Sequence, residues 1–315
     1  MTALLKRLLP FTSLALLAGA LAILSPNFLH TANLVSILRQ TTVVTIIAVG
    51  MTLVMIAGEI DLSVGSLSAL AGVYACLSLQ HTLSITLTVL TGIAVGAFCG
   101  LLNGLAATRL HVPSFIATLG TLGIFRGLAL LTTHGLPVTD LPGAFGQLAD
   151  GTLLHWIPIP VVFLVSVALL AQYLLHRTRL GRYCYAMGSN RAACIHSGIA
   201  TKRYLLGIFA LAGGMTGLAG VIEASRLISG QPTTGEGYEL DAIAAVVIGG
   251  GTLTGGEGSV IGTIIGSFIM GLIRNGTNLL GISPFVQRII IGVVIVAVVG
   301  MDELRRLRFS PAEAR

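Results

Sequence analysis

The chain has 315 residues; 54% are hydrophobic, only 10% are charged, and the mean hydropathy is +0.93. Soluble domains carry roughly 25% charged residues, so a water-soluble globule is excluded and the chain reads as an all-α polytopic membrane protein. The net charge of +6 points to membrane topology and to no nucleic acid, because the basic residues gather in loops between apolar runs.

A spanning helix needs about 20 apolar residues, and about ten such runs follow one another. The first, 9–29, comes after Lys6 and Arg7. Small residues at Ala18, Ala20 and Ala22 also suit a cleavable signal sequence, which would remove one span. The run continues through Leu24, however, and an uncleaved first span accounts for the same charges.

The runs 37–57 and 63–80 are joined by GEIDLSVGS, which puts Glu59 and Asp61 between two apolar stretches. Asp61 or Ser63 is placed to cap the helix starting near Ser63, its charge complementing the helix dipole. A gate or pathway role for Glu59 or Asp61 stays open beside the cap. In the run 83–106, Gly92, Gly96, Gly100 and Gly104 recur at every fourth residue and form a smooth strip for a closely packed helix. Asn103 in the same run, and Asn275 further on, are possible pathway residues, since polar groups inside spans usually face a cavity or each other.

After the Arg109 turn come the runs 113–132 and 157–176, then a basic loop over about 177–203 that carries six arginines or lysines and no acid. Within it, Ser189 or Asn190 is an N-cap candidate and Gly198 a C-cap candidate for a short helix. Two readings of the loop stand. It is an ordinary positive-inside loop attracted to anionic lipid, or the interleaved Ala186, Gly188, Ala192 and Ala193 suit insertion into a partner's groove.

The run 204–225 is followed by 241–256, which is short, ends in glycines and reads as a half-helix or re-entrant segment. GGEGSVIG at 255–262 is a second acidic, glycine-flanked turn. It leads into the run 258–276, where Gly258, Gly262 and Gly266 repeat the packing spacing; 284–301 and a basic tail with Arg305, Arg306, Arg308 and Arg315 follow. With both termini cytoplasmic, most of the positive charge lies inside, as the positive-inside rule requires.

Enzymatic motifs are missing. There is no HExxH, no GxSxG and no GxxxxGK[ST], and Lys6 and Lys202 are the only lysines. The four cysteines show no metal-ligand or disulfide spacing. A coupled carrier usually buries a charged relay, and none stands out, so the pattern suits a passage for a neutral polar solute energised from elsewhere.

Four blocks taken together resemble the permease subunits of bacterial ABC importers for monosaccharides, the ribose, xylose and arabinose type. They are VMIAGEIDLSVGSLSAL at 54–70, NGLAATRLHVPSFIATLGT at 103–121, GRYCYAMGSNRAACIHSGI at 181–199 and GYELDAIAAVVIGGGTLTGGEGSVIG at 237–262. The resemblance implies a single permease domain over 1–315 in the inner membrane and a second permease copy beside it, as a homodimer or a paired heterodimer. It also implies a periplasmic sugar-binding protein outside and a cytoplasmic ATPase that alone handles ATP and Mg, with no cofactor on this chain. It marks Gly181, Arg182, Ala186, Gly188, Asn190, Ala192, Ala193, Ser197 and Gly198 as the ATPase-docking segment. Two residues depart from the family pattern: Arg191, where acidic or polar residues are common, and Glu59, where glycine is. A branched-chain amino-acid permease of similar fold and a passive channel are the alternatives, and the sugar itself is open, with ribose the default.

Overall fold

In lipid an apolar run can satisfy its backbone only within itself, so helix is the local structure open to it. The computed structural model describes residues 3–110, 112–154 and 156–309 and is helical through most of them. Arg315 lies outside the described residues, as do the side chains of Lys6, Arg7, Arg305, Arg306 and Arg308.

Helices α1 (Ala3–Leu24), α2 (Thr31–Ile56), α3 (Val64–Thr82), α4 (Ile85–Arg109) and α5 (Ser114–Thr133) come first. A short α6 (Gln147–Asp150) and a small hairpin, Thr152–Leu153 against Ile157–Pro158, lead to α7 (Ile159–Arg177). The basic loop folds as α8 (Arg179–Ser189) and α9 (Arg191–His196). Then come α10 (Thr201–Leu227), α11 (Tyr238–Ile248), α12 (Val260–Leu279) and α13 (Pro284–Phe309). Local chemistry sets several of these ends. Ser84 accepts from the Leu87 N–H at the start of α4, Ser259 accepts from Gly262 at the start of α12, and prolines 158 and 160 open α7.

Six helices among the described residues are long and apolar enough to cross a membrane: α2, α4, α5, α7, α10 and α12. The apolar parts of α1 and α13, Leu9–Leu24 and Pro284–Gly300, are shorter. The expected run 241–256 is not a full span. Its helix α11 has 11 residues, about 16 Å at 1.5 Å per residue, and stops at Gly249 because Gly250 takes a left-handed φ of 91°.

Helix α10 is the central element and packs against α2, α3 and α4. Its contact with α4 runs through glycine: a β-carbon on Gly96 would lie 2.2 Å from Gly213 O, and one on Gly100 2.1 Å from Phe209 O. From the other side, a β-carbon on Gly217 would lie 2.1 Å from Gly92 O. The two backbones therefore touch, which only small residues permit. Gly104 faces Leu206 and Phe209; Gly262 and Gly266 lie against Gly249 O and Ala245 O of α11. Gly258 is not part of that helical row, because it precedes α12 and sits in the loop against Ile56.

Two stretches break the helical pattern inside the bundle. Residues 57–63 leave the end of α2 and reach α3 without helical structure, and residues 229–237 do the same between α10 and α11. The starts of α3 and α11 meet: a β-carbon on Gly65 would lie 2.2 Å from Gly235 O and 2.5 Å from Glu239 Oε2. Arg126 of α5 holds the second stretch by donating to Pro232 O at 2.5 Å and Thr234 O at 2.8 Å.

Candidate functional site

The basic loop, the GEIDLSVGS turn and the GGEG turn converge at one end of the bundle. Gly188 near the end of α8 is the contact point, since a β-carbon there would lie 1.9 Å from Ile56 O and 2.3 Å from Gly256 N. The two turns are tied to each other where Gly256 N donates to Ile56 O at 2.9 Å. Left-handed φ values of 79° at Gly58 and 88° at Gly255 bring the backbones this close. Around this point Cys184 Sγ donates to Leu53 O at 3.1 Å and Tyr185 Oη donates to Gly258 O at 2.9 Å. The Tyr185 phenol is raised above its ordinary pKa, chiefly by burial.

Helix α9 projects from this junction and is closed at both ends. Asn190 Oδ1 accepts from Ala193 N at 2.9 Å, and the extended backbone of Asn190 separates α9 from α8. At the other end Gly198 has φ 77°, donating to Ile195 O, while Ile199 N donates to Cys194 O at 3.0 Å, a Schellman-type closure. Arg182, Asn190, Ala192, Ala193, Ser197 and Gly198 are exposed. Gly181 is buried against Leu175 O, and Ala186 and Gly188 are half-buried on the side facing the bundle. The residues marked for docking thus divide into an outward set and a set that seats α8 on the bundle.

Above the junction a polar network runs inward. Asp61 is 1% exposed; its Oδ1 accepts from Ser63 N at 2.9 Å and Ser63 Oγ at 2.7 Å. Asn103 Nδ2 donates to Ser63 Oγ at 2.8 Å and lies 3.3 Å from both Asp61 oxygens, while its Oδ1 accepts from Thr121 Oγ1 at 2.7 Å. The N–H groups of Ile60 and Leu62 donate to Ser114 Oγ and Thr118 Oγ1 of α5. Ser63 occupies the N-cap position of α3, yet its hydroxyl makes no bond to the first turn. Asp61 instead stabilises the approach to the helix, because its carboxylate is taken up by the Ser63 backbone and hydroxyl and by Asn103.

Asn275 lies elsewhere. It exchanges amide hydrogen bonds with Asn33, 2.7 and 3.2 Å, joining α12 to the start of α2 at the opposite end. The structure therefore does not bring Asn103 and Asn275 together. Charge pairing, which sequence spacing does not reveal, is extensive. Glu59 pairs with Arg191 at 2.5 Å, Glu223 with Arg226 and Tyr238, Asp241 with Arg274, and Asp150 with Arg39. Only the Glu223–Arg226 pair, three residues apart on one helix, has a local signal. All four cysteines are free and buried, and no cluster able to hold a metal occurs among the described residues.

The geometry is that of a helical membrane protein with interrupted legs and a capped helix presented from one loop, and comparison with known proteins gives its class. A family model described as "Branched-chain amino acid transport system / permease component" matches residues 33–299, and the chain belongs to that family. It is 44% identical to the ribose import permease protein RbsC of Escherichia coli over 93% of this chain and 92% of that protein. It is 43% identical to the RbsC of Bacillus subtilis over 94% of this chain and 92% of that protein. With the D-allose transport system permease protein AlsC of Escherichia coli the identity is 36%, over 93% and 90% of the two chains. No solved structure matches the chain.

Proposed function

We propose that the chain is the transmembrane permease subunit of an ABC importer that brings a monosaccharide across the bacterial inner membrane. The observation that carries this is α9, a helix capped at both ends with an exposed small-residue face, projecting from α8, which is seated on the junction of two inter-helical turns. The relatives whose names specify ribose and allose support a sugar as the cargo, and ribose is the sugar we propose first. The amino-acid reading has only the family description behind it.

In this reading the basic-loop end faces the cytoplasm, together with both termini, following the positive-inside rule. The ten legs are α1, α2, α3, α4, α5, α7, α10, α11, α12 and α13, with α3 and α11 completed by the non-helical stretches 57–63 and 229–237. An ATPase subunit docks on α8 and α9, a sugar-binding protein delivers from outside, and a second permease copy completes the pore. Interrupted helices that start within the bundle put unpaired N–H groups and dipole ends beside a passage, and Asp61, Ser63, Asn103 and Glu239 lie next to the two interruptions. Alternating access then arises when nucleotide closure on the ATPase draws the two α9 helices together.

The test is reconstitution in liposomes with an ABC ATPase subunit and a sugar-binding protein from the same cell. Sugar accumulation that requires ATP and fails without the ATPase is expected. ATP-independent flux, or no ATPase retained in mild detergent, overturns the importer reading.

A further inference from the structure

The Glu59–Arg191 pair sits between two parts of the molecule that behave differently. On one side Arg191 is the first residue of α9 and is 43% exposed; on the other, the Glu59 side chain is 9% exposed. Glu59 belongs to a stretch with no helical ladder of its own. Its neighbours are held by side chains of α4 and α5: Ile60 N donates to Ser114 Oγ and Ile60 O accepts from Thr118 Oγ1, Leu62 N donates to Thr118 Oγ1, and Asn103 Nδ2 donates to Asp61. α8 meets the bundle at Gly188, and the extended Asn190 separates it from α9, which packs Cys194 into the main core and directs Arg191 to Glu59. A cavity of about 440 Å³ opens beside the pair, lined by Glu59, Arg191, Ile195, Val112, Pro113 and Ser114 among others.

We propose that the Glu59–Arg191 ion pair is the link through which α9 moves the stretch 57–63, which makes both residues positioning residues for transport. This rests on the permease reading above. A surface ion pair contributes little to stability, but the Glu59 carboxylate is mostly buried, and taking the partner away from a buried charge is costly. Displacing α9 therefore drags Glu59. The stretch it belongs to yields without breaking a helix, and it ends at Asp61, Ser63 and the start of α3, where α3 meets α11. Motion at the docking helix thus reaches the interior through residues 59–63.

The experiment uses the complete transporter with its ATPase and binding protein in liposomes, reading sugar transported per ATP hydrolysed. Glu59→Gln and Arg191→Gln are each expected to lower that ratio about tenfold while the ATPase still co-purifies, and the double variant to be no worse than either single one. Arg191→Lys, which keeps the charge, is expected to restore a good part of the ratio. Strictly additive losses in the double variant, or an unchanged ratio in the single variants, overturn the link. If Glu59→Gln fails to insert, Arg191→Gln against Arg191→Lys decides alone, since Arg191 is half-exposed and an unchanged ratio in both refutes the proposal. Absence of ATP-dependent uptake by the unaltered chain would instead count against the permease reading.

Discussion

Asp61 shows how a single acidic residue is made tolerable in a bundle this apolar. It is almost fully buried, and its oxygens are met by the Ser63 backbone, the Ser63 hydroxyl and the Asn103 amide. Replacing it by asparagine leaves one acceptor oxygen where there were two and sets an NH2 group beside that of Asn103, which keeps its bond to Ser63 Oγ but loses part of its second acceptor. Asp61→Asn is expected to cost about 1–3 kcal/mol, read as a lower thermal midpoint in detergent; an unchanged midpoint would show that the network does not hold this turn. Asn190 acts at the surface. Asn190→Ala removes the cap from Ala193 N and is expected to weaken α9 by about 1 kcal/mol, whereas Asn190→Asp retains the acceptor. Co-purification of the ATPase from the two variants is the measurement, and equal retention would separate docking from the integrity of α9.

At the scale of elements, the α4–α10 contact depends on what is missing from Gly92, Gly96, Gly100, Gly213 and Gly217. Gly96→Leu and Gly213→Leu each force the two backbones apart, and overpacking of this kind costs about 1–3 kcal/mol or more. Both variants are expected to give less folded protein and earlier thermal unfolding, whereas Gly120→Leu, with open space around its α-carbon, should leave both unchanged. The spacing of glycines along α4 is visible in the sequence, because a four-residue period needs no knowledge of the partner. The partner row on α10 is less regular, and Gly258 shares the spacing without sharing the helix. The shortness of α11 is foreshadowed by the three glycines that follow Ile248. The pairing of Glu59 with Arg191, 132 positions apart, has no local trace. Neither has the Asp61–Asn103 contact, since each side chain taken alone has a plausible local role.

For the molecule as a whole, composition alone defines a helical membrane protein, and the four sequence blocks point to the permease family. What sequence leaves open is how the blocks meet: GEIDLSVGS, GGEG and the basic loop touch around Gly188 only once the bundle closes. Orientation is open to a direct test because the four native cysteines are all buried and give little background. A cysteine placed at Ser197, exposed just after α9, is expected to react with an impermeant maleimide only from the cytoplasmic side. One at Leu136, 68% exposed beyond the other end of α5, should react only from outside. The reverse pattern would invert the topology.

The glycine-to-glycine seam between α4 and α10 also sets a timetable for biogenesis. Its two halves are separated by on the order of a hundred residues, and at about 5–20 residues per second the ribosome delivers the second half roughly 5–20 s after the first. During that interval the grooved face of α4 waits in the bilayer without its partner, open to lipid or to an insertion factor. The nascent chain is therefore open to mispairing between the exit of α4 and the arrival of α10, and a leucine placed in the seam should go unnoticed in lipid until α10 arrives and cannot close against it.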